Sequence, residues 1–138
     1  MNPEVDMTNL LIAGVASVTL VAGTNIFEGA MRESDGTLIT APTVFVTSTG
    51  AGALEPYLSG GAGNDFSKPI VRVLVVGSKQ AYGTGRTLAR EILTVGHKAV
   101  VAGYTSITCI QAEPMTFEDE EGRPMFSLTF QMTWKEAR

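Results

Sequence analysis

The chain has 138 residues and a mass of 14.6 kDa, a length that favours one compact domain over two. Apolar residues make up 44% and charged residues 17%, with a mean hydropathy of +0.16, which excludes a chain disordered as a whole. Ten Lys and Arg against fourteen Asp and Glu leave a net charge of -4, so a basic footprint for duplex nucleic acid is missing, while one cysteine (Cys109) and one histidine (His97) exclude a disulfide framework and a Cys- or His-rich metal site.

Asn2, Pro3 and Glu4 read as N-cap, first helical position and acidic first turn, and the spacing predicts a helix from the extreme N-terminus to a stop at Gly23. Leu11, Val15, Val18 and Ala22 recur at helical spacing, and Ile12, Ala16 and Leu20 widen the stripe almost to a full coat. From Met7 to Phe27 no residue is charged, so a membrane span is one reading. Against it stand the polar Thr8, Asn9, Ser17, Thr19, Thr24 and Asn25 and the lack of a basic flank; Glu4 and Asp6 also fit badly with a secretory signal. The alternatives are a helix buried in the core or between subunits, or, given the Val and Thr content, a strand over Val15 to Val21.

TNIFEGAM is a candidate short strand, SDG at Ser34–Gly36 supplies turn chemistry, and LITAPTVFVTS holds a second strand, best placed at Thr43 to Thr47 because Pro42 lacks a ladder donor. From Ser48 to Lys68 five glycines stand in twenty-one residues, and the expectation there is a long loop, either a surface insertion or a partner-binding segment anchored by Tyr57, Leu58 and Phe66.

PIVRVLVVGSK is β-branched at nearly every position and predicts a strand buried on both faces, with Arg72 as the exception. In the helix that follows, Ala81, Gly85, Leu88, Ile92 and Val95 share a face with Ala89 and Leu93 beside it, and Gly96 fits the stop. The last third predicts a hairpin, TSITCIQAE and PMFSLTFQMTW joined by FEDEEGR. In its second strand Phe126, Leu128, Phe130, Met132 and Trp134 alternate with Ser127, Thr129, Gln131 and Thr133, so one face belongs in a core and the other at water or an interface. The element order α-β-β-β-α-β-β gives an α+β domain over residues 1–138, with two helices on an antiparallel or mixed sheet.

Chemistry has few carriers. Nothing in the spacing joins Cys109 to His97; Cys109 reads as a buried small hydrophobe, and His97 as a cation suited to a helix end, so no catalytic residue is assigned. SKQAYGTGRT follows a strand and opens a helix, as phosphate-binding loops do, but Gly83 is followed by Thr84 and Gly85 by Arg86, which fails the P-loop pattern. The turn from Gly83 to Arg86 remains the place for a small-ligand or nucleotide alternative; otherwise its glycines serve close packing. Glu118, Asp119, Glu120 and Glu121 lack calcium-loop spacing, so no metal or cofactor is expected. They form either a solvated hairpin tip or, with Arg123 beside them, a docking surface for a basic neighbour.

The order of elements, the Gly-rich insertion before VRVLVV, the helix that follows and above all EDEEGRPMFSLTFQMTW resemble the tail terminator proteins of long-tailed bacteriophages. In that family an acidic turn with glycine and arginine, here Asp119 to Arg123, introduces a last alternating strand, here Phe126 to Trp134. The resemblance implies a non-enzymatic virion protein of the tail and neck, assembled in the host cytoplasm and not held in a membrane. It would close into a homohexameric ring that caps the tail tube protein, halts polymerisation and joins the head–tail connector or stopper, with DNA passing through the lumen unbound. A head-completion or neck adaptor protein is the related alternative. Tyr57, Leu58, Phe66, Glu118, Asp119, Glu120 and Arg123 are the candidate interface residues.

Overall fold

A computed structural model describes residues 2–29, 41–56, 64–78, 81–119 and 122–137. In chain order these form α1 (Pro3–Gly14), β1 (Ile26–Glu28), β2 (Thr43–Pro56), β3 (Asn64–Val76), α2 (Tyr82–Gly96), β4 (Ser106–Cys109), β5 (Met115–Glu118) and β6 (Pro124–Ala137). The strands make one mixed sheet in the order β1-β2-β3-β6-β4, with β5 joining β6 on the same side as β4; β1 and β2 are parallel and every other pair is antiparallel. Both helices cover one face, so the α+β expectation holds with one strand added.

The period-two pattern selects that face. Val44 and Val46 of β2, Val71, Val73 and Val75 of β3, Ile107 and Cys109 of β4, and Phe126, Leu128, Phe130 and Met132 of β6 pack against Met7 and Leu11 of α1 and Leu88, Ala89 and Ile92 of α2. Burying each of the larger side chains contributes roughly 1.5–3 kcal/mol. β3 was expected to be buried on both faces, but its second face is closed only at one end: Val76 is buried, Ile70 and Leu74 are half-buried and Arg72 is exposed. The reason is that neither helix lies on that side.

α1 begins as expected, with the Asn2 side chain accepting the Val5 N–H at 3.3 Å and Pro3 at the first position. It ends at Gly14, nine residues before the expected stop, with Val15 already extended at φ -80 and ψ 125. Two causes combine. The β-branched Val15, Val18, Thr19 and Val21 weaken helix formation, and side chains hold the extended path. Glu91 accepts from the N–H of Ser17 at 3.1 Å and its hydroxyl at 2.7 Å, while Asn25 accepts from Val21 N–H at 2.7 Å and donates to the Thr19 carbonyl at 2.8 Å. Gly23 serves a different stop, a turn at φ +81 before β1. The stripe is narrow too: within α1 only Met7, Thr8 and Leu11 are buried. Among the described residues no helix is long and apolar enough to cross a membrane.

The expected loop from Ser48 to Lys68 is mostly sheet. β2 continues to Pro56 and β3 starts at Asn64, with Gly52 opposite Pro69, Leu54 opposite Ser67 and Pro56 opposite Asp65, after a shift in register between Ser48 and Gly52. Strand pairing runs through the main chain, so Gly and Ala can join a ladder without the β-branched signal that marks a strand in sequence. The turn chemistry at Ser34–Gly36 lies outside the described residues.

In the C-terminal hairpin the first strand is split. Ile110 N–H still donates to the Thr129 carbonyl at 2.9 Å, then the chain leaves β6 and the Gln111 side chain takes its place, accepting the Thr129 N–H at 2.8 Å. Pro114 ends the excursion, and β5 resumes with Met115 opposite Ser127. The connection is therefore shorter than FEDEEGR: Phe117 and Glu118 are strand residues. α2 matches its expected face, with Gly85, Leu88, Ala89, Ile92 and Gly96 buried. A Cβ on Gly96 would stand 2.5 Å from the Phe130 ring and one on Gly85 2.9 Å from the Phe126 ring, so these glycines set how closely α2 lies on β6.

Candidate functional site

The two residues that chemistry would use do meet, but through the backbone. Nδ1 of His97, the residue capping α2, accepts the main-chain N–H of Cys109 at 3.0 Å. That bond uses a lone pair on Nδ1, so the His97 side chain serves the backbone here as a hydrogen-bond acceptor. Cys109 is buried in the main core, and burial pushes its thiol pKa up, away from the thiolate a nucleophile requires. Among the described residues no three His, Cys, Asp or Glu side chains stand together as metal ligands.

The turn at Gly83 to Arg86 forms the first turn of α2, where Ala81 caps the helix without a side-chain hydrogen bond. Gly85 is spent on contact with Phe126, which is the packing role expected of it. A cleft of about 270 Å³ lies between α2 and the excursion after β4, lined by Arg90, Leu93, Thr94, Ala112, Glu113 and Pro114. Arg90 and Glu113 form an ion pair there, and the volume falls below the roughly 300–1,000 Å³ of small-molecule sites.

The hairpin tip is a built turn. The Asp119 carboxylate accepts the Arg123 N–H at 2.9 Å and its Nε at 2.6 Å, while Asp119 N–H donates to the Arg123 carbonyl at 3.1 Å and Gly122 N–H to the Asp119 carbonyl at 3.0 Å. Gly122 takes φ +78, which glycine adopts without strain. Arg123 is only 7% exposed, so this arginine closes the turn from within instead of offering charge to a neighbour. Glu118, at the end of β5 opposite Pro124, is exposed and available. Glu120 lies outside the described residues, as do Tyr57 and Leu58. Phe66 is placed in β3, its backbone opposite Glu55 and Lys135.

The helix-free face carries a feature missed in the sequence. Phe27 and Phe45 stack there with ring centroids 5.5 Å apart, and with Leu74, Val76 and Met125 they form a second, smaller core. Beside it on the border strand β5, Met115 and Phe117 are 59% and 41% exposed on the same face. A Met-Thr-Phe alternation is a strand signal that could have located them, had the acidic run not drawn that stretch into the connection.

The fold has a counterpart among solved structures. The chain matches one from the virion of a native gene transfer agent particle, with a TM-score of 0.54 over 96% of this chain and 94% of that one. The two are 13% identical, so the likeness is one of fold. No family model matches the chain, nor does a curated protein sequence.

Proposed function

We propose that this chain is a structural protein of a phage-type virion, and within it a ring-forming tail terminator that caps the tail tube, stops its polymerisation and joins the tail to the head connector. The observation that carries the reading is a fold match over nearly the whole of both chains with a component of a virion particle. The acidic turn and alternating last strand that resemble tail terminators support it from the sequence. The site chemistry agrees: the one thiol is buried, the one imidazole is engaged with backbone, and the exposed side chains include large apolar ones suited to contacts between proteins, Met115 and Phe117 among them.

A homohexameric ring needs a contact between two different patches of one subunit repeated around a closed rotation. Its other partners are the tube protein on one side and the connector or stopper on the other. DNA passes through the lumen without specific binding, because a chain of net charge -4 repels the phosphate backbone. The test is to polymerise the tube protein of the same virion with and without this chain and image the products. Tubes of limited length with a ring at one end are expected. Tubes that grow unchanged and uncapped would overturn the terminator role, and binding to the connector alone would assign the chain to neck adaptors.

A further inference from the structure

We infer that the two borders of the sheet, β2 beyond Ser48 and β5, pair with each other between neighbouring copies of this chain, so that the sheet continues from one subunit into the next. The inference rests on the ring reading and names the contact that would close the ring.

On the β1 side, protection of the border is short. β1 covers only Val44 to Val46 of β2; Gly29 N–H then donates to the Val46 carbonyl at 2.7 Å and the Glu4 carboxylate accepts the Ser48 N–H at 2.7 Å. From there β2 runs on to Pro56 with no strand on its outer side among the described residues. On the opposite border β5 pairs, among the described residues, with β6 alone, all four of its residues are exposed, and its large apolar side chains, Met115 and Phe117, stand in solvent.

Natural sheets protect such borders with Lys, Pro or inward-pointing charge. Thr49, Gly50, Ala51, Gly52, Ala53 and Leu54 on one border and Met115, Thr116 and Phe117 on the other carry none of these; such devices stand at their ends, as Glu55 and Pro56 of β2 and Glu118 of β5, and as the register shift between Ser48 and Gly52. In a chain of net charge -4, these uncharged stretches, which stop short of Glu55 on one border and Glu118 on the other, are where copies approach with least repulsion. They also match in size by residue type, with Gly and Ala on one and Met and Phe on the other. Because the borders differ and lie at opposite ends of the strand order, joining them is head-to-tail, the contact that generates rings and not two-fold dimers.

Two variants test this on the full chain: Met115→Lys with Phe117→Lys blocks one border, and Ala51→Lys with Ala53→Lys blocks the other. Wild-type protein associates beyond the dimer in light scattering and native mass spectrometry, alone or with tube subunits. Each variant alone is monomeric, and their mixture gives a 1:1 dimer and nothing larger, since only one intact border of each remains. If a lysine variant fails to fold by circular dichroism, single Phe117→Cys and Ala53→Cys chains replace it. A short bis-maleimide then joins the two in a mixture and neither to itself.

Variants that assemble like wild type, a mixture of folded variants that stays monomeric, or Phe117→Cys chains that link to each other would overturn border pairing while leaving the ring reading intact. Wild-type protein that stays monomeric with and without tube subunits would overturn both.

Discussion

Nδ1 of His97 accepts the Cys109 N–H at 3.0 Å, and the adjacent Lys98 N–H donates to the Ile107 carbonyl at 2.8 Å, so the end of α2 is fastened to the border strand β4 by two consecutive residues. Lys98 adopts φ +61 to make its half of this contact. His97→Phe keeps a ring of similar size and removes the acceptor, leaving the half-buried Cys109 N–H without it. Loss of about 1–2 kcal/mol is expected, seen as a lower urea midpoint at unchanged slope.

Glycines of α2 respond to alanine with opposite signs. A Cβ at Gly96 meets the Phe130 ring at 2.5 Å, and Phe130 is itself fully buried, so neither side has room to give. Gly96→Ala should destabilise by about 1–3 kcal/mol. Gly83 lies in the first turn of the same helix with nothing within 4 Å of an added Cβ. Gly83→Ala should therefore stabilise by about 0.5 kcal/mol through the loss of unfolded-chain freedom. Thermal melts of the two variants check the sign at each position.

Tyr104 holds α1 to the segment before β4. Its hydroxyl donates to the Asp6 carboxylate, and its ring packs edge-on against Trp134 with centroids 5.5 Å apart. Burial, then the hydrogen bond to Asp6 and the charge of that carboxylate, push the Tyr104 pKa well above its ordinary value near 10. In the unfolded chain the hydroxyl loses its proton near that ordinary value while the folded state retains it. The stabilisation is thus complete below about pH 10 and declines as pH rises above it toward the folded value. Denaturation from pH 8 to 11 should show wild type losing stability at the alkaline end more steeply than Tyr104→Phe. Equal slopes would remove Tyr104 as the cause.

What could be read in sequence follows from where periodicity reaches. β6 and α2 stood out because Phe126 to Trp134 and Gly85 to Gly96 repeat at the spacing of their elements, and side chains carry that repeat. The outer half of β2 did not, because Gly52 to Pro56 pair through main-chain groups that every residue has. The end of α1 was hidden for a related reason: apolar residues continue on both sides of Gly14, and the bonds that pull the chain off its helical path come from Glu91, seventy-four residues away from Ser17. At the candidate site the acidic run was visible, while the burial of Arg123 was not, since a charge pattern cannot tell a closed turn from an open one.

The hairpin tip separates a structural charge from one available for docking. Asp119 and Arg123 are both largely buried, their side chains 14% and 8% exposed, and the Asp119 carboxylate also accepts the Arg123 N–H, so its loss removes an ion pair and a turn-closing bond together. Asp119→Ala should cost about 1–3 kcal/mol and lower the unfolding transition accordingly. Glu118 is exposed on a border strand, and Glu118→Lys should change stability by no more than about 0.5 kcal/mol. If the tip docks on a basic surface of a neighbour or the tube, Glu118→Lys with Glu120→Lys stops tail completion while the chain stays as stable as wild type. Since the buried Asp119 variant loses stability as well, only the reversal of Glu118 and Glu120 isolates docking from folding. Normal tails from the doubly reversed chain would leave the acidic run with a solvated role alone.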